Sequence, residues 1–322
     1  MPETTLLSTP FAQSDRLLVL LSPPRSFSSV ISTMIGQHPQ IYGFPELHLF
    51  IGDTLEEVLD KEYRAGNFFG PHGLSRAIAQ IEFGYQTQGT VARAIGWLYE
   101  RRHWTTKALM DHMLARVAPR LGMEKSPVTS VQRLNIERAW TYYPKSFFLH
   151  VTRHPVSSRS SMIEWLKENR PRDTTDRVDT LLSWYRIHHN ILEFTRTLPP
   201  GQSLMVKGEE LLSSPDRYLF QIAEWLGLRT DADAITAMKH PEHSPYAYIG
   251  PALAEGGNDN KFLRNPALQH RQFLEPSLAE FLSEERIDWG SQSRQLGGED
   301  KKIAKERLIE EISSLTHRLG YC

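Results

Sequence analysis

The chain carries one cysteine, Cys322. It can form no intrachain disulfide and no cysteine-built metal cluster. No apolar run reaches the roughly 18 residues that a membrane-spanning helix needs, so no membrane insertion is expected. An excess of either charge is also missing: 37 lysines and arginines face 38 aspartates and glutamates, a formal net charge of −1. Nucleic acids and anionic membranes recruit proteins with a marked basic excess, so neither is an expected partner. The opening stretch MPETTLLSTPFAQSDR has no basic segment leading into an apolar one, so no secretory leader is read there and the expected location is the cytoplasm. The 13 histidines include no HExxH or similar metal spacing, and there is no internal repeat or low-complexity tract.

What is present suits a folded domain. The 322 residues can bury a sizeable core, and 40% hydrophobic with 23% charged residues is ordinary for a globular protein. Leu17–Leu21 is an apolar run of strand length, and Val30, Ile31, Met34 and Ile35 follow at helical spacing. Ser26 or Ser28 is the expected helix cap, and Pro39 the expected stop. Ser146–Thr152 and Gln202–Val206 read as two more strands, each after a turn signal. Leu181, Trp184, Ile187, Ile191 and Phe194 share one helical face. Tyr218, Leu219, Ile222, Trp225 and Leu226 share another, with Gly227 as its stop. Strands alternating with helices predict an α/β fold with a mostly parallel central sheet, whose ligands sit at the carboxyl ends of the strands. Residues 244–266, rich in Gly, Pro and Asn, read as a long loop, and the tail EDKKIAKERLIEEISSLTHRLGY reads as an amphipathic helix.

Two strand ends carry anion chemistry. After the first, SPPRSFSS leads into a helix N-terminus, whose free N–H groups and dipole attract anions. Arg25, Ser26, Ser28 and Ser29 add donors there. The segment has neither the glycines nor the lysine of GxxxxGK[ST], so it fails the test for an ordinary nucleotide-triphosphate loop. After the second strand, RHPVSSRSS sets Arg153 and Ser161 eight residues apart, a spacing that lets both reach one phosphate. Two grips at neighbouring strand ends suit a nucleoside with a phosphate group at each end.

Through these segments the sequence resembles the sulfotransferases that use 3′-phosphoadenosine 5′-phosphosulfate (PAPS). SPPRSFSS is similar to their 5′-phosphosulfate loop, and RHPVSSRSS to their 3′-phosphate segment. PELHLF after GQHPQIYGF is similar to a bacterial group that includes sulfotransferases associated with polyketide synthases. GMEKSP, VKGEELLSSPDRYLFQIAEWLGL and GGNDNKFLRNPAL match further family elements, so the likeness runs over residues 16–270. It departs at Phe27, where the family usually has glycine, at Lys207-Gly208 in place of Arg-Tyr, and at Glu210 in place of Asp.

The resemblance implies a P-loop-like three-layer fold forming a single domain over 1–322. A helical acceptor-side cap is expected at residues 50–125 and a C-terminal helix at 299–320. The implied reaction moves a sulfuryl group from PAPS to an acceptor hydroxyl, leaving adenosine 3′,5′-bisphosphate. Glu46 is the implied base; His48, on the same side of an extended stretch, is the alternative. Arg25 and Lys125 are the implied catalytic cations, with Ser126 beside Lys125. Arg25, Ser26, Phe27, Ser28 and Ser29 are expected to hold the 5′ end. Arg153 and Ser161 are expected to hold the 3′-phosphate, with Lys261 and Arg264 closing over it. Arg159 reads as a solvated helix residue and His188-His189 as packing or surface. Phe68, Phe69, Trp97 and Trp104 are candidate pocket linings, and core packing explains each aromatic alone. No metal is expected, because a sulfuryl group carries less charge than a phosphoryl group. The acceptor that the resemblance implies is a β-hydroxyacyl chain on a carrier protein, with a carbohydrate or another small-molecule hydroxyl as the alternative. A kinase would need a loop lysine and an acidic Mg²⁺ site at a strand end, and FFLHVTRHP has no Asp there. A non-catalytic nucleotide-binding module would keep the grips and lack the base.

Overall fold

The computed structural model describes residues 16–68, 70–169, 180–269, 273, 276–278 and 298–321. Five strands form one parallel sheet: β1 (Leu17–Leu21), β2 (Ile41–Gly43), β3 (Leu121–Glu124), β4 (Phe147–Thr152) and β5 (Ser203–Lys207), in the order β2-β3-β1-β4-β5. Register pairs Val19 with Glu124 on one side of β1 and with Phe148 on the other. Central β1 is buried on both faces, which is why it reads as an unbroken apolar run rather than an alternating one. Leu17, Val19 and Leu21 point into one layer, and Leu18 and Leu20 into the opposite layer.

The first layer contains α2 (Leu55–Arg64), α3 (His72–Phe83), α4 (Gln88–Glu100) and α5 (Thr106–Val117), all inserted between β2 and β3. It also contains α6 (Pro127–Val131), α7 (Arg133–Tyr142) and α9 (Thr180–Thr195). The second layer holds α1 (Ser28–Ile35), α10 (Gly208–Ser213), α11 (Pro215–Leu226) and α12 (Ala232–Met238). α8 (Pro155–Asn169) follows β4, α13 (Asn260–Arg264) interrupts the late loop, and α14 is Gly298–Arg318. Among the described residues, no helix is long and apolar enough to cross a membrane.

The face read for α9 matches the burial, and on α11 Leu219, Ile222 and Leu226 are buried while Tyr218 and Trp225 are half-buried against the same layer. Leu181, Trp184, Ile187, Ile191 and Phe194 are all buried, each contributing on the order of 1.5–3 kcal/mol. Gly227 ends α11 at φ 69°, a left-handed cap that glycine adopts without steric cost. Other expectations change. α1 has Phe27 at its N-cap position, with no side-chain cap, rather than Ser26 or Ser28. It ends at Ile35 with Gly36 as its C-cap, before Pro39, and only a glycine fits there against β2: a Cβ on Gly36 would lie 2.9 Å from the Gly43 Cα. The inserted helices end at Val117, and Leu121–Glu124 is a strand of the sheet.

The connections define where a ligand fits. From β1 the chain passes to β2 on one side; from β3 it crosses to β4 on the other. The direction reverses beside β1, and its carboxyl end opens into that crevice.

Candidate active site

Three non-glycine residues with positive φ are found among the described residues: Arg25 (66°), Phe27 (59°) and His48 (57°). All three lie on connections leaving the carboxyl ends of β1 and β2. Such backbone costs on the order of 1–3 kcal/mol per residue and persists where its surroundings over-determine it. The β1–α1 loop is buried: Ser22, Ser26, Ser28 and Ser29 are nearly inaccessible. The hydroxyls of Ser22 and Ser26 have no hydrogen-bond partner among the described residues. Buried hydroxyls without partners suit a ligand rich in acceptor oxygens.

Arg25 is the hub of this loop. Its Nε donates to Ser161 Oγ at 3.2 Å, and its guanidinium pairs with Asp259. Arg153 Nη1 donates to the Arg25 carbonyl at 2.7 Å. The two grips read separately from the sequence are therefore one connected cluster, in which Arg153 and Ser161 each bond to Arg25. Burial pulls the Arg25 pKa below its ordinary value, against the pull of Glu164, Glu168 and Glu46. The Phe27 ring packs under one guanidinium of this cluster. The Arg153 guanidinium lies 4.2 Å above that ring, and Phe273 meets its edge at 5.3 Å. Arg153 is thus seated on an aromatic platform, while Trp184 Nε1 donates to its carbonyl at 3.0 Å.

The second cluster is centred on Lys125, at the end of β3. Its ammonium is fully buried and donates to Ser29 Oγ (3.1 Å), Glu46 Oε1 (2.6 Å) and Asn258 Oδ1 (2.9 Å). Those three bonds use all three of its protons. Lys125 joins the β1–α1 loop to Glu46 directly. His48 Nε2 stands 3.5 Å from Glu46 Oε2, and its Nδ1 bonds Glu62 Oε1 at 2.8 Å. Burial works to raise the Glu46 pKa, yet the Lys125 and His48 charges outweigh it and hold the carboxyl at about 2. Burial likewise opposes the charge on His48, but Glu46 and Glu62 together raise its pKa to about 10. In this state His48 is an imidazolium with no lone pair to take a proton, which disfavours it as the base. Glu124 lies beneath, where burial pushes its carboxyl up to about 7. Ser126 Oγ donates to Glu124 and accepts from the His48 N–H at 3.0 Å, fixing the His48 backbone to the end of β3.

The late loop closes over both clusters. Asp259 N–H donates to Ser29 Oγ at 3.0 Å, and the Glu46 N–H donates to the Gly257 carbonyl at 2.8 Å. Asn258 and Asp259 thereby occupy the cationic groups of the loop and of β3. Asp259 also caps α13.

Several expected residues stand differently. Lys261 pairs with Glu164 at 2.6 Å, and Arg264 is exposed at the end of α13. Ser28 is buried at the first turn of α1. Arg159, read as solvated, is half-buried. Trp97 and Trp104 meet edge to face at 5.7 Å, half-buried against the core, and Phe68 is exposed beside Tyr63. Phe69 lies outside the described residues. The sequence reading missed Glu62, Glu124, Asn258 and Asp259. The strand Leu121–Glu124 would have drawn attention to Glu124, and the segment GGNDN to its neighbours, but no local pattern links Glu62 to His48.

A model of the sulfotransferase family matches residues 18–232. No curated protein matches the chain. Among solved structures, the chain is similar to the sulfotransferase domain from the Synechococcus PCC 7002 olefin synthase, at 24% identity and a TM-score of 0.62, over 81% of this chain and 89% of that one. It is also similar to the sulfotransferase domain from the curacin biosynthetic pathway, at 20% identity and a TM-score of 0.66, over 95% of this chain and 98% of that one. At these identities the likeness is one of fold.

Proposed function

The chain belongs to the sulfotransferase family, and we propose that it transfers the sulfuryl group of PAPS to an acceptor hydroxyl, with Glu46 as base. One observation carries this reading: a single buried ammonium, Lys125, touches both Ser29 of the anion loop and the Glu46 carboxylate. Donor and base are thus expected within one side chain's reach of each other.

The donor supplies an activated sulfuryl group; the chain's residues orient it and move the proton. Arg25, the loop hydroxyls and the free N–H groups of α1 hold the leaving 5′-phosphate. Arg153 and Ser161 hold the 3′-phosphate, with Lys261 and Arg264 at the rim. The bond from acceptor oxygen to sulfur forms as the bond from sulfur to the 5′-phosphate oxygen breaks, and the hydroxyl proton goes to Glu46. A carboxylate with a pKa of about 2 is a weak base. As Lys125 turns its protons toward the sulfuryl oxygens, Glu46 loses a neighbouring cation and its basicity rises. Binding the donor and readying the base are then one event. The scheme assigns no metal, because Arg25 and Lys125 neutralise the modest charge of the transferring group.

Helices α2 to α5 form the acceptor-side cap of a single domain in this reading. The two similar structures belong to an olefin synthase and to the curacin pathway, which favours a β-hydroxyacyl chain on a carrier protein as acceptor. Two experiments test the proposal. Adenosine 3′,5′-bisphosphate should raise the melting temperature where ATP with Mg²⁺ does not, by the equivalent of about 2.7 kcal/mol at a hundredfold excess over Kd. Preferential stabilisation by ATP would overturn the donor assignment. A screen with labelled PAPS against acyl-carrier substrates, sugars and free alcohols identifies the acceptor.

A further inference from the structure

Helix α2 belongs to the inserted layer, yet it sends one carboxylate down to the strand ends. Glu62 is buried on this helix; Oε1 bonds His48 Nδ1 at 2.8 Å, and Oε2 accepts from Asn67 Nδ2 at 2.5 Å. Both oxygens are anchored, so the carboxylate cannot rotate without losing a bond. Its effect on His48 is twofold. A bond at Nδ1 selects which ring nitrogen faces it and aims Nε2 at Glu46. A negative charge there favours the imidazolium.

We propose that Glu62 is a positioning residue for sulfuryl transfer, holding His48 as an oriented cation so that Glu46 stays ionised when Lys125 turns to the sulfuryl group. The inference rests on Glu46 being the base. Its physical basis is the burial around Glu46. With Lys125 withdrawn, desolvation would favour a protonated, inert carboxyl unless another cation stood beside it. His48 is the cation in place. The charged and titratable groups that face it are Glu62 from α2, Glu46 from its own segment, and Lys125 and Glu124 from the end of β3. His72 from α3 completes the set; burial lowers its pKa, so it adds no second cation at neutral pH.

The pair is tested first without any substitution. An NMR titration of the ligand-free protein should find the His48 ring protonated through neutral pH, with its midpoint near 10. A midpoint in the ordinary histidine range overturns the proposal. Glu62→Gln keeps an acceptor for Nδ1–H and removes the charge. In this variant the His48 midpoint should fall below its wild-type value, with bisphosphate affinity within about twofold of wild type. The pH profile of kcat should gain an ionisation absent from the wild type, with turnover declining above the new His48 midpoint. A shifted midpoint with an unaltered kcat profile would mean that the His48 charge is not used, and the proposal fails. Absence of any sulfuryl transfer in the wild type would instead defeat the assigned reaction, while the titration still tests the coupling of Glu62 to His48 by itself.

Discussion

Phe27 and Gly208 fill one space between them. A Cβ on Gly208 would lie 2.5 Å from Phe27 Cδ2 and 3.1 Å from the Thr152 carbonyl. These are two of the positions at which the sequence departs from the sulfotransferase pattern, glycine becoming Phe27 and a bulky residue becoming Gly208. The Phe27 ring lies where a side chain at 208 would stand. Gly208→Ala should therefore displace the ring from beneath Arg153, weaken bisphosphate binding, and cost about 1–3 kcal/mol of stability by overpacking. Phe27→Gly should relieve the positive φ but leave a void and an unsupported Arg153. The double variant Phe27→Gly/Gly208→Ala should be more stable than the sum of the two single changes in denaturant unfolding; strict additivity would mean that the pair is not coupled.

Glu46→Gln should lower kcat by about 10²–10⁴-fold while leaving bisphosphate affinity nearly intact. The amide keeps the size of the side chain and cannot take a proton. Isothermal calorimetry and single-turnover kinetics on one preparation separate the two quantities. Unchanged turnover would mean that Glu46 is not the base.

Arg153→Ala should act in the opposite sense, weakening affinity for adenosine 3′,5′-bisphosphate by more than about tenfold. Its guanidinium bonds the Arg25 carbonyl and rests on Phe27, so the substitution also loosens the Arg25 loop. Equal affinity in variant and wild type would remove Arg153 from the site.

The buried carboxyls and His48 set the dependence of stability on pH. Glu46 is depressed from 4.5 to about 2, so its contribution is present above pH 4.5 and is lost as pH falls toward 2. His48 is raised from 6.5 to about 10, so its contribution is present below 6.5 and is lost as pH rises through 10. Glu124 is raised from 4.5 to about 7; ionising it in place costs stability as pH climbs through that interval. Glu124→Gln, which keeps an oxygen for the Ser126 hydroxyl, should raise the melting temperature at about pH 8 and leave it nearly unchanged at about pH 4.5. Equal shifts at both values would mean that the effect comes from packing instead of charge.

Legibility in the sequence followed the size of the signal each element carries. β1 and β4 are hydrophobic runs of central strands, and α9 and α11 carry full apolar faces, so their places were readable. β2 has three residues and β3 four, each with a glycine, and neither offers a period to detect. Missing β3 also hid Glu124 and left Lys125 without a strand to position it. The contact between Glu62 and His48 spans 14 residues and that between Lys125 and Asn258 spans 133; neither is encoded by spacing.

The amino-acid sequence alone determined the layered class of fold, the family, and the residue types gathered at the strand ends, because local periodicity and ordered motifs are written along the chain. Only the tertiary structure decided how those groups are charged and to whom they are tied. A carboxylate at about 2 and an imidazole at about 10 arise from neighbours delivered by β3, α2 and the late loop. Electrostatic interaction depends on distance and burial in space, and no reading of order along a chain supplies either.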